Sequence, residues 1–563
     1  MKRKKSHLMV MALVTSLLLT ACNNKADKSD IEVKKQVLNV TVSEEIPSLD
    51  TVKTTDGTSA HVMQNIFEGL YVLNDQDQPT PAIAKSFKRS EDGKKYTFKL
   101  RKDAKWSNGD PVTAKDFVYG WQRLLDKNTA AEYAFIAFYI KNAEAINKGE
   151  KPLTDLGAKA VDDYTLEVEL EKPVPYFLNL MAFPSYYPLN EKFVKEKGDK
   201  FGLEADTTLY NGPFVMSSWK HEQGWQLKKN DKYWDKKTVK LEEINYSVVK
   251  EVATKVNLYD TGSIDFTLLS GEFVDKYKSN KDEYGEYAES STFFLRLNQK
   301  RNGQDTPLKS KKLREAIALS VDKKGLANVI LNNGSKATDQ LVPKGLATGP
   351  FGKDYQGAFK NGLKYDPKKG AAAWEAAEKE LVKDQVTIEL LSYDDGTAKK
   401  IADYVKDQIE KNLKGVTINT KIQPFKQKLK LETAQDYEIS YAGWSPDYAD
   451  PMTFIDMFES KSPYNQMSYS NPKYDEMVGK AGSELMSDAK KRWETLGKAE
   501  KLFLEEDAGL VPLYQTGRSY VMKPNVKGIV KHNISSEYSF KWAYVTEDGG
   551  KNKVKCFLVC IRE

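Results

Sequence analysis

A chain of 563 residues, 29% of them charged and with a formal net charge of +6, is long enough for more than one domain. Its basic and acidic residues are interspersed, which excludes the basic face of a nucleic-acid binder. Its 3 cysteines exclude a disulfide framework in the body, because Cys22 lies near the start and Cys556 and Cys560 lie close to the end. A body of this size buries enough apolar surface to do without one, so export to an oxidising compartment remains open.

The chain begins with Lys2, Arg3, Lys4 and Lys5, followed by an apolar run from Leu8 to Leu19 and then by Thr20, Ala21 and Cys22. That order reads as a signal peptide over residues 1–21, and the run is shorter than the roughly 20 residues that span a bilayer. Leu19-Thr20-Ala21-Cys22 resembles the bacterial lipobox, which implies a thioether-linked diacylglycerol on Cys22. Residues 22–36 are polar and free of aromatics, as a flexible leash between lipid and body should be.

Val37 to Val42 is strand-like, and Ser59 to Leu70 reads as a helix with Val62, Ile66 and Leu70 four apart. Glu91-Asp92-Gly93 leads into Tyr96-Thr97-Phe98-Lys99-Leu100, where the turn and the alternation predict a hairpin with Tyr96, Phe98 and Leu100 facing a core. Thr113 and Asp116 resemble a capping box ahead of an apolar stripe of Phe117, Trp121, Leu124 and Leu125. Asp366-Pro367, Asp450-Pro451 and Asn471-Pro472 each pair a capping side chain with a proline suited to the first helical position. Further strands are predicted over 165–170, 226–229, 244–249, 293–297, 387–391 and 417–422, so helices and strands alternate and the fold class is α/β.

Catalytic signatures are absent: the chain has no His-Glu-x-x-His, Gly-x-Ser-x-Gly, phosphate-loop or Cys-x-x-Cys motif. His61, His221 and His532 are scattered and read as ordinary surface or core residues, with no metal or cofactor implied. The stretch from Tyr437 to Pro451 reads as strand, irregular loop and helix. Asp450 is accounted for as a helix cap, whereas Asp447 has no such role. Gly443 leaves room for an approaching backbone, Trp444 and Tyr448 offer apolar walls, and Asp447 offers a negative charge among them, which suits an ammonium group. A pair of catalytic carboxylates, Asp447 with Asp450, is the competing use, and it weakens if Asp450 is occupied with capping.

Several separated motifs then resemble one family. Lys95 to Arg101 runs into Lys105-Trp106-Ser107-Asn108-Gly109-Asp110-Pro111 and Asp116-Phe117-Val118-Tyr119; Asn211-Gly212-Pro213-Phe214, Leu313-Arg314-Glu315-Ala316-Ile317 and Ala442-Gly443-Trp444 through Asp450-Pro451 follow in order. Across Val37 to Thr546 the chain looks like the oligopeptide-binding lipoproteins that serve ABC importers. The resemblance implies a two-lobed type II periplasmic-binding-protein fold with an additional third domain. Lobe I would comprise residues 37–67, 193–294 and 511–546, the extra domain 68–192, and lobe III 295–510, with hinge crossings near Phe294 and Val511. Residues 547–563 do not resemble the family and read as an atypical tail or a frameshifted end.

By the same resemblance, an extended peptide pairs through its backbone with Ala442, Gly443 and Trp444 and with the segment Asp56-Gly57-Thr58, beside Tyr448, while Asp447 binds its α-ammonium. The protein would act as a lipid-anchored monomer on the extracellular face of the cell membrane, delivering oligopeptides to ABC permease subunits. Alternatives are a non-peptide ligand such as a nickel complex, haem or a sugar, or a surface enzyme or adhesin that reuses the fold.

Overall fold

The computed structural model describes residues 35–534 and 538–547. The expected signal peptide, the lipidated Cys22, most of the leash and the tail after residue 547 lie outside the described residues. In chain order, the strands that matter here are β1 (Val37–Val42), β2 (Ala84–Arg89), β3 (Lys95–Leu100), β4 (Ala158–Asp162), β5 (Thr165–Glu169), β6 (Phe214–Lys220), β7 (Gly224–Lys229), β8 (Glu243–Val248), β9 (Phe266–Leu269), β10 (Tyr284–Leu297), β11 (Val386–Tyr393), β12 (Val416–Gln423), β13 (Ile439–Trp444) and β14 (Leu510–Met522). The helices used below are α1 (Gly57–Ile66), α2 (Ala114–Leu125), α3 (Phe425–Thr433) and α4 (Ala489–Lys501). Among the described residues no helix is long and apolar enough to cross a membrane.

The architecture is α/β with several sheets. One large mixed sheet runs β12-β11-β13-β10-β14-β9-β1-β8-β7-β6, and the short segment Lys336–Ala337 also pairs with β14. A separate four-stranded sheet, β2-β3-β5-β4, is antiparallel throughout and is covered on one face by α2. As the alternation predicts, Tyr96, Phe98 and Leu100 of β3 are buried, and so are Phe117, Trp121, Leu124 and Leu125 of α2. The start of α2 is fixed by Asp116, whose carboxylate accepts from the Thr113 N–H at 2.7 Å and from its hydroxyl at 3.0 Å.

The strands β10 and β14 join the two halves of the large sheet. Residues 284–288 of β10 pair with 517–521 of β14 beside β9, whereas 292–296 pair with 510–515 beside β13. The register slips between Ala288 and Thr292, so the pair bends there, as a bulge does. The bulge at 289–291 places Ser291 on the cavity described below.

The other signature motifs are structural. Helix α1 stops at Ile66 and does not run on to Leu70, because Phe67 turns to extended backbone and the Gly212 N–H donates to the Ile66 carbonyl at 2.9 Å. A side chain at 212 would put its Cβ 2.6 Å from the Ile66 carbonyl carbon, so only glycine fits. Asn211 completes the junction: its amide oxygen accepts from the Glu68 N–H and its amide nitrogen donates to the Glu68 carbonyl. Arg314 is buried and donates to the carbonyls of Leu308, Lys309, Asp507 and Ala508, tying two chain segments together with no carboxylate in direct contact among the described residues.

Candidate functional site

A cavity of about 370 Å³ lies between the two halves of the large sheet. On one side it is lined by Asp56, Gly57 and Thr58 at the start of α1, and on the other by Ala442, Gly443, Trp444 and Asp447. The sheet geometry explains why the second group can meet a ligand. Strand β13 pairs with β10 along its whole length, Thr292 opposite Trp444 through Leu297 opposite Ile439. Its other edge pairs with β11 only at Ile439 and Ser440. From Tyr441 to Trp444 that edge has no strand partner among the described residues, and alternate backbone N–H and C=O groups point along it. An extended chain laid there would gain a ladder of hydrogen bonds whatever its sequence.

Asp447 stands where this open edge ends. It is buried, and no cation pairs with it among the described residues. Its Oδ1 accepts from the Tyr133 hydroxyl at 3.1 Å, and its own N–H donates to Thr453 Oγ1 at 3.1 Å. Burial pushes its carboxyl up to about 8, opposed only by the hydroxyls of Tyr133 and Thr453. Its partner Tyr133 belongs to a cluster of three rings: Tyr133 lies parallel to Trp444 at 6.1 Å, and Tyr464 meets them edge-on at 5.0 and 4.9 Å. Among the described residues the Trp444 indole Nε1 has no hydrogen-bond partner. A buried carboxylate without a counter-charge, beside a cluster of aromatic rings, is suited to a cation small enough to enter.

Asp56 is the N-cap of α1 and accepts from the Ser59 N–H at 2.8 Å; burial pushes its carboxyl up to about 6. Nothing lies within 4 Å of where a Gly57 Cβ would sit, so the backbone there is open to an occupant. Gly443 lines the cavity and also makes room for a neighbouring ring. A Cβ would come within 2.8 Å of the Phe293 ring, so glycine here admits that ring beside the strand. Tyr448 is not a wall of the cavity: it stacks on Tyr176 at 4.2 Å with rings 6° from parallel. Asp450 does accept from the Met452 N–H at 2.9 Å, and both its oxygens also accept from Arg492 of α4 at 2.8 Å. With Asp450 committed twice, it is not available as the second carboxylate of a catalytic pair.

Sequence reasoning missed Tyr133 and Tyr464. Tyr133 is more than 300 positions from its partner Asp447, in a short helical turn that carries no motif, and only the fold brings them together. Phe293, Tyr393, Tyr441 and Tyr514, one from each of four adjacent strands, were likewise invisible as a set. They stack in a row, Tyr393 on Tyr441 at 5.9 Å, Tyr441 on Phe293 at 5.4 Å and Phe293 on Tyr514 at 5.2 Å, and form one wall of the cavity.

Residues 78–466 match the family described as bacterial extracellular solute-binding proteins, family 5 Middle, and the chain belongs to that family. Among solved structures, it is similar to one described as an oligopeptide ABC transporter substrate-binding domain from Bacillus anthracis, with 75% identity, a TM-score of 0.91, and coverage of 92% of this chain and 99% of that one. It is also similar to Listeria monocytogenes OppA bound to peptide, with 44% identity, a TM-score of 0.88, and coverage of 92% and 100%. Among curated relatives, the dipeptide-binding protein DppE of Bacillus subtilis is 33% identical over 552 residues, 96% of this chain and 99% of that protein.

Proposed function

We infer that the protein captures oligopeptides in extended conformation outside the cytoplasm and delivers them to the permease subunits of an ABC importer. The observation that carries this reading is the open edge of β13 leading to a buried, unpaired carboxylate. The edge holds a peptide backbone by strand addition, and Asp447 takes its α-ammonium, which restores the missing counter-charge. Asp56, Gly57 and Thr58 approach the same peptide from the opposite side, and Trp444 Nε1 is free to donate to it. Backbone recognition accounts for breadth of substrate, since it does not depend on side-chain identity. The named relatives are binding proteins, which supports a carrier and not an enzyme.

The architecture behind this reading is a two-lobed type II periplasmic-binding-protein fold with a third domain. Residues 37–67, 193–294 and 511–546 make lobe I, 68–192 the extra domain, and 295–510 lobe III, with β10 and β14 as the hinge. The register slip in β10 supports bending at 289–291, a few residues before Phe294. Stacking of Tyr176 on Tyr448 and the Tyr133–Asp447 hydrogen bond join the extra domain to lobe III, and Tyr133 and Asp447 line one flank of the chamber. A lipid on Cys22 would hold the monomer at the membrane surface, within reach of its permease.

Thermal shifts of the body from residue 23 onward, unfolded and refolded to strip ligand, test the reading. Free-amine tetra- to hexapeptides are expected to raise the melting temperature, and their N-acetylated forms and sugars to leave it unchanged. Equal stabilisation by acetylated peptides would remove Asp447 from the amine site, and no shift with any peptide would overturn the peptide reading.

A further inference from the structure

The cavity holds a second charged group that the amine site does not use. Arg296 of β10, Lys428 and Glu432 of α3 all line it, and each is at least 95% buried. Lys428 Nζ lies 2.8 Å from Glu432, and Arg296 Nη1 lies 3.9 Å from the same carboxylate. Glu432 also accepts from the Ser440 hydroxyl at 2.7 Å, and Arg296 donates to Gln466. Glu132 also faces this group: it accepts from the Thr433 hydroxyl at 3.3 Å and feels the charge of Arg296, but among the described residues it forms no close ion pair with either cation. Among the described residues two buried cations therefore share one carboxylate in contact, and the Arg296 Nε has no hydrogen-bond partner. Buried charge left so incompletely matched is costly unless an occupant completes it.

Strand register places this group. Arg296 is opposite Ser440, Phe294 opposite Ala442 and Thr292 opposite Trp444, so Arg296 shares a sheet face with Ala442 and Trp444. The opposite face presents Tyr441 and Phe293, in the row of stacked rings. A peptide paired along the open edge of β13 alternates its side chains between these two faces. One parity meets Arg296 and Lys428; the other meets aromatic rings.

We propose that Arg296 and Lys428 form a subsite for a carboxylate of the bound peptide, and that this subsite makes acidic residues favoured at positions of one parity. This rests on the peptide reading above. The carboxylate belongs to an Asp or Glu side chain or, in a peptide short enough to end there, to the C-terminus. Both sources place the same anion against an arginine fork and an ammonium, with charge-assisted hydrogen bonds on both. Glu432 holds the two cations in place when no peptide is bound and competes with the incoming anion.

The test is calorimetric titration of the ligand-stripped protein with free-amine alanine pentapeptides carrying a single Glu or Gln at each position in turn, each made with a free or an amidated C-terminus. Binding of the all-alanine peptide tests the peptide reading itself. Given that binding, Glu over Gln is expected to be favoured by about ten- to a hundredfold at one position or at two of the same parity, and not at their neighbours. A loss of similar size on amidation alone, with no Glu preference, would assign the subsite to the C-terminus. Lys428→Met should abolish the preference and Glu432→Gln should enlarge it. All-alanine binding with Glu and Gln equal at every position and no effect of amidation would overturn the proposal. The wild-type comparison reads this even where a variant fails to fold.

Discussion

Binding of a free-amine peptide should expel a proton from Asp447, and the amount can be worked out. With its carboxyl pushed up to about 8, roughly nine in ten molecules hold the proton at pH 7 before binding. An α-amine of ordinary pKa, about 7.7–8.0, is neutral in roughly one in ten peptides at that pH. Forming the ammonium–carboxylate pair therefore releases about 0.8 proton per peptide at pH 7, close to none near pH 8, and takes protons up above it. Affinity rises with pH towards about 8 and falls beyond it, because the logarithm of the binding constant changes with pH by the number of protons released. Titration calorimetry in buffers of differing ionisation enthalpy, at pH 6.5, 7, 8 and 9, measures this number directly. In Asp447→Asn the release is expected to vanish together with discrimination against acetylated peptides. The ligand-free protein gives a second reading. A carboxyl raised from 3.8 to about 8 binds more protons in the native chain than in the unfolded one between those values, so its contribution to stability declines as pH rises through that window, and Asp447→Asn flattens the decline. Binding without net proton release at pH 7, or the same release in Asp447→Asn, would refute the assignment of the ammonium to Asp447.

Gly443→Ala is expected to lower stability by about 1–3 kcal/mol and to weaken peptide binding, since its Cβ meets a Phe293 ring that is itself held against Tyr514; Phe293→Leu in the same chain should restore much of the melting temperature. Asp450→Asn leaves the buried Arg492 guanidinium without its bidentate partner and is expected to cost about 3–5 kcal/mol in denaturant unfolding, with little change in amine selectivity if Asp447 alone reads the ammonium. Cys22→Ser is expected to shift the protein from the membrane fraction to the medium, and persistent membrane fractionation would count against the lipid anchor.

Local physics made much of the fold readable. The β3 alternation, the α2 stripe and the Asp366 and Asn471 caps need only near neighbours, and they stand where the sequence places them. Helix α1 ends early because its last carbonyl is taken by Gly212, a partner far along the chain that periodicity cannot register. Within the site, Asp447 could be singled out because no local task explained it. The ring cluster beside it could not, since Tyr133 arrives from the four-stranded-sheet segment and Tyr464 from a loop after β13. Lys428 and Glu432 are four apart on α3, a spacing that by itself is no different from that of an exposed surface pair. Only the packing of α3 against Arg296 and Ser440 buries them.

The unpaired edge of β13 also bears on how such a chain survives its own synthesis. Ile-Ser-Tyr-Ala-Gly-Trp is an apolar ribbon, and a free edge of this kind on an open surface recruits other chains into intermolecular sheets. Here the hydrogen-bonding groups that make the edge useful are recessed between two halves of the molecule, where a slender peptide can reach them and a folded neighbour cannot. The same recess that selects small, extended guests thus acts as a guard against self-association in a crowded compartment, and variants that prop the chamber open should be the ones that aggregate.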